Sequence, residues 1–434
     1  MTLMVSKARV LAAVLPIMVG LLLHGRLAFL GLSPVRFDLP RPLPLPDPRS
    51  TTRLGEVAFD LIGKDSIVYP EALVKSPDGK FAFLSLGDGR IVRMTTKDTF
   101  EWRDLSWQTV VRTGEESEDC GSGGPSDENE IESICGRPLG MLVTRRSAID
   151  PYYSSRSSAD EDVLLVADSY KGLLMVTNIY RGDGAIRVLA TRAVQDPSGY
   201  RFNLLNALVE TPDGSIYITE TSRKFQRRRI FYEAMNGRPS GRLLRYSKQR
   251  GGIVDVVAKD LYMANGLALS HDGKSLLIVS GVTIRRFDLA LRRLDPKPFI
   301  DVMPGTGDNI RKMNVLPTGE RRKCYWAGLG GKYAQPFSLL YYLSDKAWVR
   351  SAMLALVPYK KVIDLVPKWT ALAIYDERGE RIGMLLDDGK DKGGGPATVR
   401  VPWVSEVEPL GDYLYFLSWY NPFLARIKRI DIQP

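Results

Sequence analysis

Six times along this chain of 434 residues a glycine-centred turn leads into an alternating apolar strand and then a second strand. The copies read SPDGKFAFLSLGDGRIVRM (76–94), EDVLLVADSYKGLLMV (161–176) and TPDGSIYITETSRKF with GRLLRY (211–225, 241–246). They continue as SHDGKSLLIVSGVTIRRFDL (270–289), PTGERRKCYWAGLGGK (317–332) and PLGDYLYFLSWYNPFLARI (409–427). Period-two alternation between such turns marks antiparallel strands. Repeats of this spacing suit a propeller, whose blades each supply four strands around a central channel. The expected fold is therefore all-β: a six-bladed β-propeller over residues 51–434, with an N-terminal transmembrane anchor helix and a small helical insertion. The insertion is 337–369, whose apolar residues recur at helical spacing. It reads as a cap over one propeller face, and its two basic clusters leave contact with a membrane open as an alternative to plain packing. The Ser-rich stretch 152–160 reads as a flexible loop.

The first fifty residues differ in kind. No acid occurs before Asp38, and Lys7 and Arg9 precede an apolar run, Val10–Leu23, that resumes at Leu27–Leu32. Residues 10–32 are long enough to span a bilayer if Arg26 reaches an interface. A cleaved signal peptide has the same layout, but Arg26 spoils the cleavage site before Ala28. Residues 1–32 thus read as a cytoplasmic stub and signal-anchor helix, and 33–50, rich in proline at Pro40–Pro48, as a stiff extended spacer.

Histidine is the scarcest chemistry-bearing residue. Only His24 and His271 occur, so a poly-histidine metal site is excluded, and three cysteines cannot form a zinc ribbon or an iron–sulfur cluster. The net charge of +10 is concentrated: Arg223–Arg250 holds ten Lys/Arg and one acid, whereas Glu115–Glu132 holds eight acids and no base. No nucleic-acid-binding pattern accompanies the basic block, so it reads as solvated surface facing water or anionic lipid, and the acidic block as an exposed loop.

Distances back from the turn glycines single out a constellation. Glu71, Asn206 and Asn265 each stand eight residues before a turn glycine, Gly79, Gly214 and Gly273. Asp308 and Asn309 stand ten to eleven before Gly319. The equal offset puts the first three at the start of the innermost strand of their blades, facing the axial tunnel, and the near match puts Asp308 and Asn309 at nearly the same place in a fourth. Two carboxylates crowded there would repel and be desolvated. A calcium ion removes that cost, since it takes six to eight oxygen ligands and accepts mixed carboxylates and amides. The plainer reading of each residue alone is a turn or strand-end cap.

The chain resembles the strictosidine-synthase-like family, within the wider group of calcium-dependent six-bladed propellers that includes paraoxonases and squid-type diisopropylfluorophosphatase. The resemblance rests on CGRPLG (135–140), ADSYKGLLMV (167–176), NLLNALVETPDGSIYITETSRKFQRR (203–228) and GRLLRY (241–246). It continues through NGLALSHDGKSLLIV (265–279), MPGTGDNIR (303–311), FSLLYYLSDKAW (337–348) and YNPFLARI (420–427), covering essentially all of 51–434. It implies a type II membrane protein with the propeller on the luminal or extracellular side, and a Ca²⁺ site at Glu71, Asn206, Asn265 and Asp308, with Asn309 adjacent. It also implies that Cys120 pairs with Cys135, in keeping with an oxidising compartment; Cys324 reads as an inert core residue. Ala207 departs from the family, which usually carries Asp there.

Three activities follow as expectations. In the first, calcium polarises a small or aryl ester and Asp308 or Glu71 positions or deprotonates water. The paraoxonase-like histidine dyad cannot exist here, because His24 lies in the anchor and His271 in a turn. In the second, an amine condenses with an aldehyde as in true strictosidine synthase. That enzyme's glutamate aligns with Ser405, with Glu406 one residue later and on the opposite strand face, which argues against the reaction. In the third, the propeller binds a hydrophobic ligand or partner without catalysis, with structural calcium.

Overall fold

The computed structural model describes residues 20, 22–45, 50–55, 57–122, 130–153, 160–194, 199, 201–390 and 398–432. Six sheets follow one another along the chain. Blade 1 comprises Leu73–Lys75, Ala82–Ser85, Arg90–Thr96 and Leu105–Arg112, and blade 2 comprises Pro138–Arg145, Asp162–Asp168, Gly172–Thr177 and Ala185–Ala190. Blade 3 runs from Leu205–Glu210 to Ile253–Leu261, and blade 4 from Ala264–Leu269 to Arg293–Leu294. The long hairpin Gly305–Val315 and Arg321–Lys332 opens blade 5, which ends with Thr370–Tyr375 and Arg381–Asp387. Glu406–Leu410, Tyr413–Leu417 and Leu424–Lys428 form blade 6. The expected six-bladed propeller is the observed fold. Each expected turn glycine has the left-handed backbone its turn needs, with φ of 71° at Gly79, 75° at Gly214 and 71° at Gly273.

The N terminus closes the ring. Asp60–Ile62 supplies the outermost strand of blade 6, antiparallel to Leu424–Lys428, with Leu61 opposite Ala425. Thr51–Arg53 adds a fifth, parallel strand to blade 5. The core lies in the seams between blades: Leu277 and Val279 of blade 4 meet Tyr325, Ala327 and Leu329 of blade 5 in one cluster. Each fully buried Leu or Val there contributes about 1.5–3 kcal/mol.

The insertion is helical and sits as a cap, in helices Leu339–Ser344, Ala347–Leu356 and Tyr359–Val362. Of the proline-rich stretch, residues 40–45 are described; they form neither helix nor strand and are tied to the propeller. Tyr333 Oη donates to the Pro40 carbonyl at 2.5 Å, and Gln335 Nε2 to that of Pro42 at 3.0 Å. Among the described residues no helix is long and apolar enough to cross a membrane. The expected anchor falls mostly on residues 1–19 and 21, and most of the expected loop 152–160 on 154–159; these lie outside the described residues.

One expectation is corrected. The basic block 223–250 is not a uniformly solvated surface: Arg227, Arg228 and Arg242 are 8%, 9% and 3% exposed. The acidic loop supplies their counter-charges in part, with Arg227 Nη1 2.7 Å from Glu132 Oε1 and Arg228 Nη2 2.9 Å from Glu130 Oε1. Arg242 pairs within its own blade with Glu220, at 2.5 Å. Buried guanidinium groups need such partners, because an unpaired charge inside a protein is costly.

Candidate functional site

A cavity of about 370 Å³ lies between the propeller and the cap. Its walls are largely apolar, from Leu139, Leu204, Ile230 and Phe231 on the propeller side to Leu340, Met353 and Val366 on the cap side. Its polar end holds Glu71, Asn206, Asn265 and Asp308, four of the five residues singled out by turn spacing. Asn206, Asn265 and Asp308 lie on the innermost strands of blades 3, 4 and 5, and Glu71 just precedes that of blade 1. Blade 2 presents Leu139 to the same cavity, so its contribution is apolar.

The fifth residue, Asn309, is turned aside. Its Nδ2 donates to the Glu71 carbonyl at 3.5 Å and its backbone N–H to the Ser405 carbonyl at 3.0 Å, and it does not line the cavity. A register shift between Gly307 and Ile310 accompanies this arrangement. Ser405 Oγ also donates to the Glu71 carbonyl, at 3.1 Å. Glu406 is engaged elsewhere, 2.6 Å from Arg311 Nη2 and accepting from the Leu73 N–H at 3.1 Å. His271 lies away from the cavity, its Nε2 3.1 Å from the Cys324 carbonyl. Cys324 is a buried free thiol.

Close approach of the strands assembles the polar end. A Cβ on Gly266 would lie 2.4 Å from the Ile310 nitrogen and 2.5 Å from the Asp308 carbonyl oxygen, so only glycine lets blades 4 and 5 meet beside Asn265. Replacing Gly266 by alanine is expected to force the two strands apart and cost about 1–3 kcal/mol, as overpacking does. A lower denaturation midpoint at unchanged m-value checks this.

Burial governs the electrostatics. It pushes the Asp308 carboxyl well above the usual carboxylate range, and the neighbouring Glu71 charge adds to the effect. Burial also raises Glu71, against the opposing pull of Arg137 and Arg227. Asn265 donates to Asp308, while its own Oδ1 is buried with no hydrogen-bond partner. Asn206 Nδ2 donates to Thr221 Oγ1 at 3.0 Å, which leaves its carbonyl oxygen as the acceptor end. Two carboxylates and an orphaned amide oxygen at one end of a cavity suit a hard cation. Among the described residues no three His, Cys, Asp or Glu side chains gather to hold a metal, so such a cation would rest on Glu71, Asp308 and amide oxygens.

Spacing did not expose two arginines. Arg137, 1% exposed, sets its Nη2 3.2 Å from Glu71 Oε2, with Nε 3.8 Å from Glu132 Oε1. Its backbone N–H is held by Asp168 Oδ2 at 2.9 Å, an oxygen that also accepts from Thr113 Oγ1 at 2.6 Å. Arg227 lines the cavity with its guanidinium carbon 6.0 Å from the Trp419 ring centre. Arg137 lies in CGRPLG and Arg227 in the stretch ending FQRR, so both were in view as motif residues, but nothing in their spacing linked them to the tunnel. The disulfide Cys120–Cys135 brackets the acidic loop, two residues ahead of Arg137.

The strictosidine synthase family profile matches residues 206–288. An adipocyte plasma membrane-associated protein of Gallus gallus is 30% identical over 400 residues, covering 90% of this chain and 83% of the relative. Its counterpart of Homo sapiens is 27% identical over 389 residues, covering 88% and 79%. The protein strictosidine synthase-like 2 of Arabidopsis thaliana is 28% identical over 384 residues, covering 85% and 89%. Among solved structures, a gluconolactonase of Xanthomonas campestris is 15% identical with a TM-score of 0.49, covering 92% of this chain and 98% of that one.

Proposed function

The chain belongs to the strictosidine-synthase-like family, and from that premise we propose that it is a calcium-dependent hydrolase of aryl or other small esters. The observation that carries this reading is the convergence of Glu71, Asn206, Asn265 and Asp308 on the polar end of an otherwise apolar cavity. Glu71, Asp308 and the amide oxygens of Asn206 and Asn265 would hold the ion. When bound, calcium supplies Lewis acidity that polarises an ester carbonyl and stabilises its oxyanion. Leu139, Leu204, Ile230 and Phe231 take up the hydrocarbon part of the substrate and exclude water. The Asp308 or Glu71 carboxylate holds the attacking water and accepts its proton. Amine–aldehyde condensation is disfavoured, because Ser405 and Glu406 make their contacts outside the cavity.

Replacing Asp308 by asparagine is expected to lower aryl-ester turnover about 100-fold, the scale of a lost general base. Steady-state hydrolysis of phenyl acetate, beside calorimetric titration with calcium, checks it. Unchanged hydrolysis would sink the reading. A second reading, ligand binding without turnover, is favoured by Arg137, which already gives Glu71 an internal cation. Chelation separates the two: it lowers thermal stability by mass action in both cases, but abolishes turnover only if the site is catalytic.

The placement proposed is a single-pass type II membrane protein, with the apolar run that starts at Val10 as anchor and the propeller on the luminal or extracellular side. The Cys120–Cys135 disulfide supports an oxidising compartment, and the names of the animal relatives support membrane association.

A further inference from the structure

The cap's outer face is apolar where a water-facing helix surface would be polar. Phe337, Trp348 and Leu356 are 62%, 76% and 66% exposed, and Tyr341, Tyr342 and Leu365 are exposed around them. Exposed patches rimmed by polar residues mark surfaces that meet something apolar. The exposed lysines here are Lys360, Lys361 and Lys368. Of the cap's two acids, Asp345 pairs with Lys346 and Asp364 with Lys361. Aromatic rings mixed with unbalanced lysines are the composition of a bilayer interface, with rings at headgroup depth and cations against anionic lipid.

The chain itself says which surface covers this patch. Leu32 is buried in one cluster with Leu354 and Tyr359 of the cap, and Leu27 and Leu30 pack against it. Arg350, fully buried in the cap, donates to the carbonyls of Val35, Met235 and Leu343 and so ties the N-terminal segment, the propeller and the cap together. The Phe37 N–H donates back to the cap at the Ser344 carbonyl, 3.2 Å away. Just before this clamp, Phe29 is 89% and Leu22 71% exposed, at the end of the apolar run that begins at Val10. Three residues from Phe29 to Leu32 reach at most about 10 Å. A bilayer that takes up the run ahead of Leu27 therefore meets the cap, against which Leu27, Leu30 and Leu32 pack. Phe337 and Leu365 stand both in the cavity lining and on the exposed patch, so the mouth opens on the same side.

We infer that the outer face of the cap docks on a phospholipid bilayer bearing anionic headgroups, and that the cavity draws an amphiphilic ester from that bilayer rather than from water. The substrate part of this inference rests on the hydrolase reading; the docking part does not.

The test uses the full chain in phosphatidylcholine–phosphatidylserine vesicles whose acyl chains are brominated near the headgroup. Emission of the W348F variant is subtracted from that of the wild type to isolate Trp348. Quenching of the Trp348 component about twofold or more is expected for a ring at the interface. A Trp348 component as bright as in unbrominated vesicles would overturn docking, as would a chain that fails to associate with vesicles. So would cross-linking of W348C to a second copy in place of quenching, since a protein would then cover the patch. With docking seen, Trp348→Glu and Leu356→Glu together should slow hydrolysis of a vesicle-borne long-chain aryl ester about tenfold and spare phenyl acetate. Equal loss on both esters, or on neither, would overturn entry from the bilayer. Absence of hydrolysis by the wild type alongside clear quenching would defeat the hydrolase reading, and the substrate part with it, but leave the docking surface standing.

Discussion

Replacing Arg137 by glutamine is expected to lower the stability of the calcium-free protein by about 3–5 kcal/mol, the scale of breaking a buried ion pair from one side. Arg137 is buried against Glu71 and beside Glu132, and its Nη1 also reaches the Tyr69 carbonyl at 3.4 Å. Glutamine leaves Glu71 beside Asp308 without its bonded guanidinium, and Arg227 is the cation that remains. Calcium should then recover more stability in the variant than in the wild type, because it no longer competes with Arg137 for Glu71. A dissociation constant 100-fold below the calcium concentration corresponds to about 2.7 kcal/mol of stabilisation. Denaturant melts of both proteins in chelator and in calcium read the difference. Equal stability in chelator, or equal calcium response, would show that Arg137 is not the counter-ion of this site.

Opening the Cys120–Cys135 bridge by double substitution to serine is expected to cost about 3 kcal/mol, the chain-entropy figure for a loop of this length. The local consequence reaches the cavity. The short helix Ile131–Cys135 carries Glu132, which holds Arg227 at 2.7 Å and accepts from Tyr170 Oη at 2.6 Å. Tyr170 Oη in turn accepts from the Arg228 N–H at 3.1 Å. Releasing the loop loosens that chain of contacts at its acidic end. Melting with and without reductant should reproduce the stability loss in the wild type, and ester turnover should fall about tenfold as Arg227 loses its fixed partner. A bridge-free protein with native turnover would confine the disulfide to stability alone.

The six blades and most of the site were legible because both depend on local repetition. A turn glycine needs a left-handed backbone, the strands beside it alternate, and the offset from glycine to tunnel repeats where blade geometry repeats. Glu71, Asn206 and Asn265 obey that rule, and Asp308, eleven residues before Gly319, shares their cavity. Asn309 does not, because a register shift in its strand sends its amide toward the Glu71 backbone. Arg137 and Arg227 were illegible for a different reason. Charge counts along a chain treat 115–132 and 223–250 as separate blocks, whereas folding sets Glu132 against Arg227 and buries the guanidinium, and Arg137, outside both blocks, meets Glu71 and Glu132 only in the folded ring. Composition likewise could not give the contacts of Pro40 and Pro42, which depend on Tyr333 and Gln335 far along the chain.

The strand that shuts blade 6 is among the first parts of the propeller to be synthesised and the last to find a partner. Asp60–Ile62 pairs with Leu424–Lys428, which follows it in sequence by about 360 residues. At 5–20 residues per second, that edge waits roughly 20–70 s of translation. A long apolar edge left open so long would invite pairing with other chains. This one is three residues long and begins with two exposed positions, Asp60 and Leu61. Its brevity limits the hazard during synthesis, and the ring gains its final closure from the same three residues once the last strand arrives.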